Sequence, residues 1–207
     1  MHYEETCLPA FLEQTAARYP ERMALVFQGY KVTFRQLTDM VDRFAAGLHA
    51  FGIGKGDSVA ILLPNTIPCV AAYFGILKLG AIAVMNNPLY TDRELEHQFN
   101  DSSARALITL DLLANRMAAL RAKTGIKEII YTTLGDYLPF PKNLLFPLVA
   151  KKKKLAADVK PGRRVCTAGN PCWPRRQGRR RRSLCPSTTL RCTSTPAAPP
   201  GSPKASC

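Results

Sequence analysis

The last 47 residues of this 207-residue chain cannot bury a hydrophobic core, which confines the folded part to the residues before them. Residues 161–207 contain ten Lys or Arg residues, no Asp or Glu, and no Ile, Phe, Tyr or Met. They also hold five of the seven cysteines and eight of the sixteen prolines. A charged segment with so few large apolar residues stays disordered because it cannot offset the entropy of folding. We therefore expect a disordered basic tail behind one domain of about 150 residues.

The first 135 residues predict a layered α/β domain with a mostly parallel sheet. Short apolar runs alternate with stripes of helical spacing, and this alternation implies parallel strands joined by crossover helices. Each expected strand is a nearly continuous apolar run, as in strands buried on both faces. The expected strands cover residues 59–63, 81–85, 106–110 and 126–132, and the helices between them cover residues 67–79, 91–100 and 112–120.

Two further helices and a hairpin precede this alternation. Apolar residues at helical spacing predict a helix over residues 11–19, and Gln28-Gly29 separates two short apolar runs as a hairpin turn does. Thr33 and Gln36 have the spacing of a capping box, which begins a helix that ends near Gly52. Thr91 and Glu94 form a second capping box.

No catalytic, cofactor-binding or metal-binding residue is predicted. The run Gly52-Ile53-Gly54-Lys55-Gly56-Asp57 resembles a phosphate-binding loop, but a helix precedes it and a strand follows, the reverse of the nucleotide-binding order. We interpret it as a helix C-cap and turn. The histidines lack metal-ligand spacing and the tail cysteines form no Cys-x-x-Cys pair; these residues are His2, His49, His97, Cys166, Cys172, Cys185, Cys192 and Cys207.

Two basic segments leave alternatives open. Residues 136–160 connect the domain to the tail and contain the run Lys151–Lys154. This run suits either a solvated surface loop, the favoured interpretation, or peripheral contact with an anionic membrane. Arg179–Arg182, with Trp173 nearby, offer the charge and the stacking side chain of a nucleic-acid-binding arm. The start of the chain lacks the pattern of a secretory signal, and polar residues interrupt the apolar stretch 59–85, so we expect a cytoplasmic protein.

Residues 8–135 resemble the N-terminal part of an adenylate-forming enzyme, and most of all a long-chain fatty acid CoA ligase of the AMP-binding superfamily. The most specific piece is NPLYTDRELEHQFND, in which Asn87, Pro88 and Tyr90 are expected to shape a strand exit. The resemblance is carried by VTFRQL from Val32, GIGKGDSVAILLPN from Gly52, FGILKLGAIAVMNNPLYTDRELEHQFNDS from Phe74 and ALIT from Ala106.

The tail permits a second translation that contains the next landmark of this family. When the third base of each codon is joined to the first two of the next, residues Cys192 to Cys207 permit YQYTGGTTGVSKGVM. This matches the family's Gly- and Thr-rich phosphate-binding loop, which holds ATP phosphates through backbone N–H groups and hydroxyls. We therefore interpret residues from about 161 onward as an out-of-frame translation of a ligase gene.

The resemblance implies an enzyme that joins a fatty acid to CoA through an acyl-adenylate, using ATP, Mg²⁺ and CoA. Its catalytic groups lie beyond residues 8–135 in the family, so we expect a truncated, inactive chain that binds none of these ligands productively. Such a chain leaves sheet edges exposed. The alternative function is a non-enzymatic α/β protein with an arginine-rich nucleic-acid-binding tail.

Overall fold

The computed structural model describes residues 6–133, and predictions for residues 1–5 and 134–207 lie outside the described part. The connecting segment, the basic tail, its cysteines and His2 are among these. The described elements are α1 (Leu8–Arg18), β1 (Met23–Phe27), β2 (Tyr30–Thr33), α2 (Phe34–Ala50), β3 (Ser58–Leu62), α3 (Ile67–Lys78), β4 (Ile82–Met85), α4 (Asp92–Asp101), β5 (Ala106–Leu110), a 3₁₀ turn (Asp111–Leu113), α5 (Ala114–Arg121) and β6 (Glu128–Thr132).

Four parallel strands form the central sheet in the order β4-β3-β5-β6, which confirms the predicted α/β class. β3 pairs with β4 on one side, with Val59 beside Ala83, and with β5 on the other, with Val59 beside Ala106. β5 in turn pairs with β6. The chain therefore runs outward from β3 to β4, returns across β3 to β5, and continues to β6.

This strand order places helices on both faces of the sheet. Right-handed crossovers put α3 on one face and α4 and α5 on the other. The reason is that β4 is added on one side of β3, whereas β5 and β6 are added on its other side. Successive strand residues point to opposite faces. Val59 and Ile61 pack in one core with residues of α2 and α3, whereas Ala60 and Leu62 pack in a second core with α4 and α5.

The strand predicted over residues 81–85 forms as β4 (Ile82–Met85), but the prediction that it is buried is wrong. β4 is an edge strand of the described sheet, and Ile82 and Met85 are 53% and 50% exposed. An apolar run reports hydrophobicity but not strand order, so it does not separate an edge strand from a central one. The expected helix 112–120 is also replaced at its start by the 3₁₀ turn, and the last strand begins at Glu128 rather than at residue 126.

A third small core joins the predicted hairpin to the helices. Gln28 and Gly29 have φ values of 51° and 90°, as a two-residue type I′ turn requires. The hairpin then packs Val32 against Leu12 of α1 and Leu37 of α2. Hydrophobic contact thus anchors the N-terminal elements against the helical layer on one face of the sheet.

An ion cluster ties three helices of this layer together. The Lys78 ammonium on α3 donates hydrogen bonds to Glu13 on α1 and Asp42 on α2. Partial burial acts to lower the pKa of Lys78, but the two carboxylates outweigh it and raise that pKa above its ordinary value. Lys78 therefore stays charged and joins α1, α2 and α3.

Both capping boxes form as predicted. The Thr33 hydroxyl accepts a hydrogen bond from the backbone N–H of Gln36, and the backbone N–H of Thr33 donates to the side-chain oxygen of Gln36. Thr91 and Glu94 make the same reciprocal pair at the start of α4. Each box satisfies amides that the first turn of a helix leaves without an internal partner.

Ser103 lies two residues beyond the end of helix α4 and occupies a backbone conformation that favours glycine. Ser103 has φ 50°, and the Ala104 amide donates to the Phe99 carbonyl at 2.9 Å, closing a Schellman motif. The helices that end at Gly52 and Gly80 use the same motif with glycine. A side chain with a Cβ atom is strained in this region.

We expect Ser103→Gly to stabilise the fold by about 0.5–1 kcal/mol, because it removes the Cβ strain while part of the gain is offset by the flexibility of glycine when unfolded. Ser103→Ala is the matched control and gains nothing, since it keeps the Cβ atom. Urea denaturation of the three proteins measures the difference. An equal midpoint for Ser103→Gly and Ser103→Ala would show that strain at this position is negligible.

Candidate functional site

The carboxyl edge of the parallel sheet is the candidate functional site. The strand order reverses between β3 and β5, and in open α/β sheets ligands bind outside the carboxyl ends of strands at such a point. Four loops meet at this edge. They carry Pro64, Asn65 and Thr66 after β3, Asn86 to Tyr90 after β4, Asp111 after β5, and Thr133 after β6.

Asn86 is the most buried polar residue of the loop after β4. Its amide donates to the Ile61 carbonyl at 2.8 Å, which extends the β3–β4 pairing by one step. Its side-chain Nδ2 donates to the Val84 carbonyl, while Oδ1 is buried without a partner within residues 6–133. Asn86 therefore fixes the point at which the chain leaves the sheet.

The next residues form the strand exit that the sequence predicts. The Asn87 side chain accepts a hydrogen bond from the Leu89 amide, and the Tyr90 amide donates to the Asn87 carbonyl. Arg116 of α5 then donates to the Tyr90 carbonyl and to Asp92, both at 2.6 Å. These bonds fasten the exit loop to α5 and set the start of α4.

A second polar pair lies where β5 and β6 end. Asp111 accepts hydrogen bonds from the Leu112 amide at 2.9 Å and from the Thr133 hydroxyl at 2.8 Å. Both oxygens of the carboxylate are thus engaged within the protein. The contact holds the residue that follows β6 against the turn that follows β5.

Among the described residues, the carboxyl edge brings together hydroxyl, amide and carboxylate groups. In the described part of the chain, no group of three or more His, Cys, Asp or Glu residues is arranged to hold a metal ion. His49 lies on α2 and His97 on α4. Burial raises the pKa of the Cys69 thiol, which makes it a poor nucleophile at neutral pH.

At the amino ends of the strands, opposite the carboxyl edge, lies a charged contact that the sequence analysis did not predict. Arg105 precedes β5, and its guanidinium donates to both Asp57 oxygens at 3.0 and 3.1 Å. The Gly54 amide also donates to Asp57, at 2.8 Å. Asp57 and Arg105 are 48 positions apart, so no local pattern signals that they meet.

This contact confirms that the Gly52–Asp57 run is a structural turn. Gly52 ends α2, and Asp57 closes the turn by accepting from Gly54. The hydrogen bond from Gly54, and next the one from Arg105, lower the pKa of Asp57 below its ordinary value of 3.8. The aspartate thus joins the start of β3 to the start of β5.

Comparison with models of protein families shows to which family this chain belongs. The model of the AMP-binding enzyme family matches residues 12–181. The chain belongs to the AMP-binding enzyme family. The match continues past residue 160 into the arginine-rich segment, so it sets no boundary at residue 161.

Relatives of this AMP-binding chain include two fatty acid CoA ligases. It is 42% identical over 146 residues to a long-chain-fatty-acid–CoA ligase of Bacillus subtilis, covering 70% of this chain and 26% of that protein. It is 43% identical over 140 residues to the enzyme of the same name from Escherichia coli O157:H7, covering 67% and 25%. The chain thus spans about a quarter of the length of these relatives.

A solved structure supports the AMP-binding fold. An anthranilate CoA ligase in complex with anthranoyl-AMP aligns with a TM-score of 0.59 and 28% identity, over 70% of this chain and 28% of that one. The described fold is therefore part of a larger architecture in this family. Within residues 6–133, no helix is long and apolar enough to cross a membrane.

We expect Asp57→Asn to destabilise this AMP-binding domain by about 1–2 kcal/mol at neutral pH, because it weakens charge-assisted hydrogen bonds. A carboxyl group with a lowered pKa stabilises the fold above its unfolded pKa, and this contribution is lost as pH falls through the folded pKa. The gap in unfolding free energy between the native protein and Asp57→Asn therefore narrows below pH 3.8.

Urea denaturation near neutral and acidic pH measures this gap. Asp101→Asn, on the exposed surface of α4, is the matched control and changes stability little at either pH. A gap for Asp57→Asn that stays constant down to low pH would refute the assigned role of the carboxylate.

Proposed function

We propose that this chain corresponds to the N-terminal part of a long-chain fatty acid CoA ligase. The observation that carries the proposal is the 42% identity over 146 residues to a protein of that name. The strand order and the location of the polar loops at one edge of the sheet agree with it. The chain covers 26% of that relative, so the reaction is a property proposed for the whole enzyme.

The reaction of such an enzyme has two steps. A fatty acid carboxylate attacks the α-phosphate of ATP, which forms acyl-adenylate and releases pyrophosphate. The CoA thiol then attacks the acyl carbonyl and releases AMP. Both steps need oriented donors for phosphate and carbonyl oxygens, and Mg²⁺ helps to neutralise the phosphate charge.

We propose that these groups come from outside residues 6–133. Their acidic side chains form no metal-binding cluster, and Asp57, Asp92 and Asp111 are engaged by Arg105, Arg116 and Thr133. The glycine-rich turn is closed by Asp57 rather than open to phosphate. We therefore derive no catalytic step from residues 6–133 and assign them a scaffold role, in which the sheet positions the loops of its carboxyl edge.

The proposal includes the tail. Residues from about 161 onward are interpreted as an out-of-frame translation, so the phosphate-binding loop is encoded but not translated. The chain is then inactive as it stands. Cytoplasmic location and peripheral membrane contact by residues 136–160 remain predictions of the sequence.

We expect the 207-residue protein to form no acyl-CoA from a long-chain fatty acid, ATP, Mg²⁺ and CoA, because the phosphate-binding loop is missing from its translated sequence. The matched control is the protein made from the same gene after one base is added or removed near codon 160, which restores the other frame. That protein is expected to form acyl-CoA with release of AMP, measured by chromatography. Acyl-CoA formation by the 207-residue protein would contradict the proposal.

A nucleic-acid-binding tail is the second candidate, favoured by the ten basic and zero acidic residues of 161–207. Phosphate contacts make binding weaken steeply as salt increases. Fluorescence anisotropy with a labelled DNA duplex, at low and at physiological salt, tests it. Salt-dependent binding that a chain ending at residue 160 lacks would support this candidate. It would also show that the tail is more than an accident of translation.

A further inference from the structure

We propose that the layer between α4 and the sheet contains an enclosed water site, at which ordered water donates hydrogen bonds to the side chains of Asn86, Gln98 and Thr109. Within residues 6–133, the buried side-chain oxygens that have no hydrogen-bond partner are Asn86 Oδ1, Gln98 Oε1 and Thr109 Oγ1. Buried polar groups are nearly always paired, either with protein or with ordered water. The next paragraphs of the chain's geometry place all three in one layer.

Asn86 and Thr109 lie in one row on the same face of the sheet. Thr109 pairs with Leu62, whose side chain belongs to the core under α4 and α5. Met85 pairs with Ile61, so Asn86 is level with Leu62 on the other side of β3. Side chains alternate between the faces along every strand, so paired residues of neighbouring parallel strands share a face. The two polar side chains therefore flank Leu62 at the carboxyl end of the sheet.

Gln98 faces the same layer from α4. Phe99, next to it, is 1% exposed within this core. Glu96 pairs with Lys123, which follows α5, so its flank of α4 faces α5. Residues two positions apart on a helix differ by about 200° in direction, which puts Gln98 on the opposite flank. Because α5 leads to β6 and β4 is the opposite edge of the sheet, this flank faces the end of β4, where Asn86 lies.

The hydrogen-bonding groups and the packing select a small donor as the occupant. The side-chain oxygens of Asn86 and Gln98 can only accept, so the occupant must supply at least two donor hydrogens. The surrounding core is closed, since Leu95, Phe99 and Leu107 are at most 1% exposed. A backbone segment supplies one N–H per residue and would have to enter this closed layer.

The charges of the site select a neutral occupant. A buried cation is costly unless a carboxylate pairs with it. The aspartates at this end of the sheet, Asp92 and Asp111, are already engaged by Arg116 and Thr133. Water is small and neutral, supplies two donor hydrogens, and makes about three hydrogen bonds when buried. It therefore joins the strand exit at Asn86 to α4.

Urea denaturation tests the proposal by the direction of the change in stability. Thr109→Val and Gln98→Met each remove one buried oxygen and keep a side chain of similar shape. Each variant loses a hydrogen bond to water, so its equilibrium constant for unfolding is expected to rise about fivefold. Gln14→Met is the matched control, because Gln14 is exposed on α1, and it is expected to stay within about twofold of the native constant.

Oxygen-17 magnetic relaxation dispersion supplies a readout that needs no variant. Water held in a closed core exchanges slowly, and the dispersion counts such long-lived molecules. The native protein is expected to hold at least one. The folded Gln98→Met protein is expected to hold fewer than the native protein and the Gln14→Met control.

Two outcomes would overturn the proposal. A lower unfolding constant for both Thr109→Val and Gln98→Met would show that these oxygens have no partner, because removal of an unpaired buried polar group is stabilising. A native protein without long-lived water, together with raised unfolding constants for the two variants, would show that a segment outside residues 6–133 supplies the donors.

Discussion

The pairing of β3 with strands on both sides is the interaction on which the rest of the described structure depends. β3 bonds to β4 and to β5, and its residues Val59 to Leu62 are fully buried. Alternate residues of this one strand enter both main cores. Loss of β3 pairing would therefore separate the two helical layers as well as the sheet.

The same strand also takes part in polar contacts at both ends of the parallel strands. At the amino end, Asp57 precedes β3 and joins it to Arg105 before β5. At the carboxyl end, the Ile61 carbonyl of β3 accepts a hydrogen bond from the Asn86 amide at the exit from β4. β3 is thus connected to its neighbouring strands at both of its ends.

Local signals were sufficient for most elements of the fold. Both capping boxes, the Gln28-Gly29 turn and the glycine ends of α2 and α3 depend on residues within a few positions of each other, so the sequence alone predicts them. Alternation of strands and helices likewise predicts the parallel sheet. The candidate site was predictable only as the strand exit around Asn87.

Features that depend on strand order or on distant residues were not predictable. Whether residues 82–85 lie inside the sheet or at its edge depends on the return of the chain across β3. The close packing of α3 on α2 at Gly75, where an added Cβ would lie 3.0 Å from Phe44, depends on two helices that are separate in sequence. Lys78 meets Glu13 and Asp42 for the same reason, since three helices converge there.

Sequencing the coding region again from about codon 150 to beyond the stop, from independent template, would show whether the tail is an out-of-frame translation. We predict one inserted or missing base near codon 160 and an alternative frame that encodes YQYTGGTTGVSKGVM and continues into further ligase sequence. An intact frame at codon 160, together with an alternative frame interrupted by stop codons or lacking this segment, would contradict it. The arginine-rich tail would then belong to the natural protein.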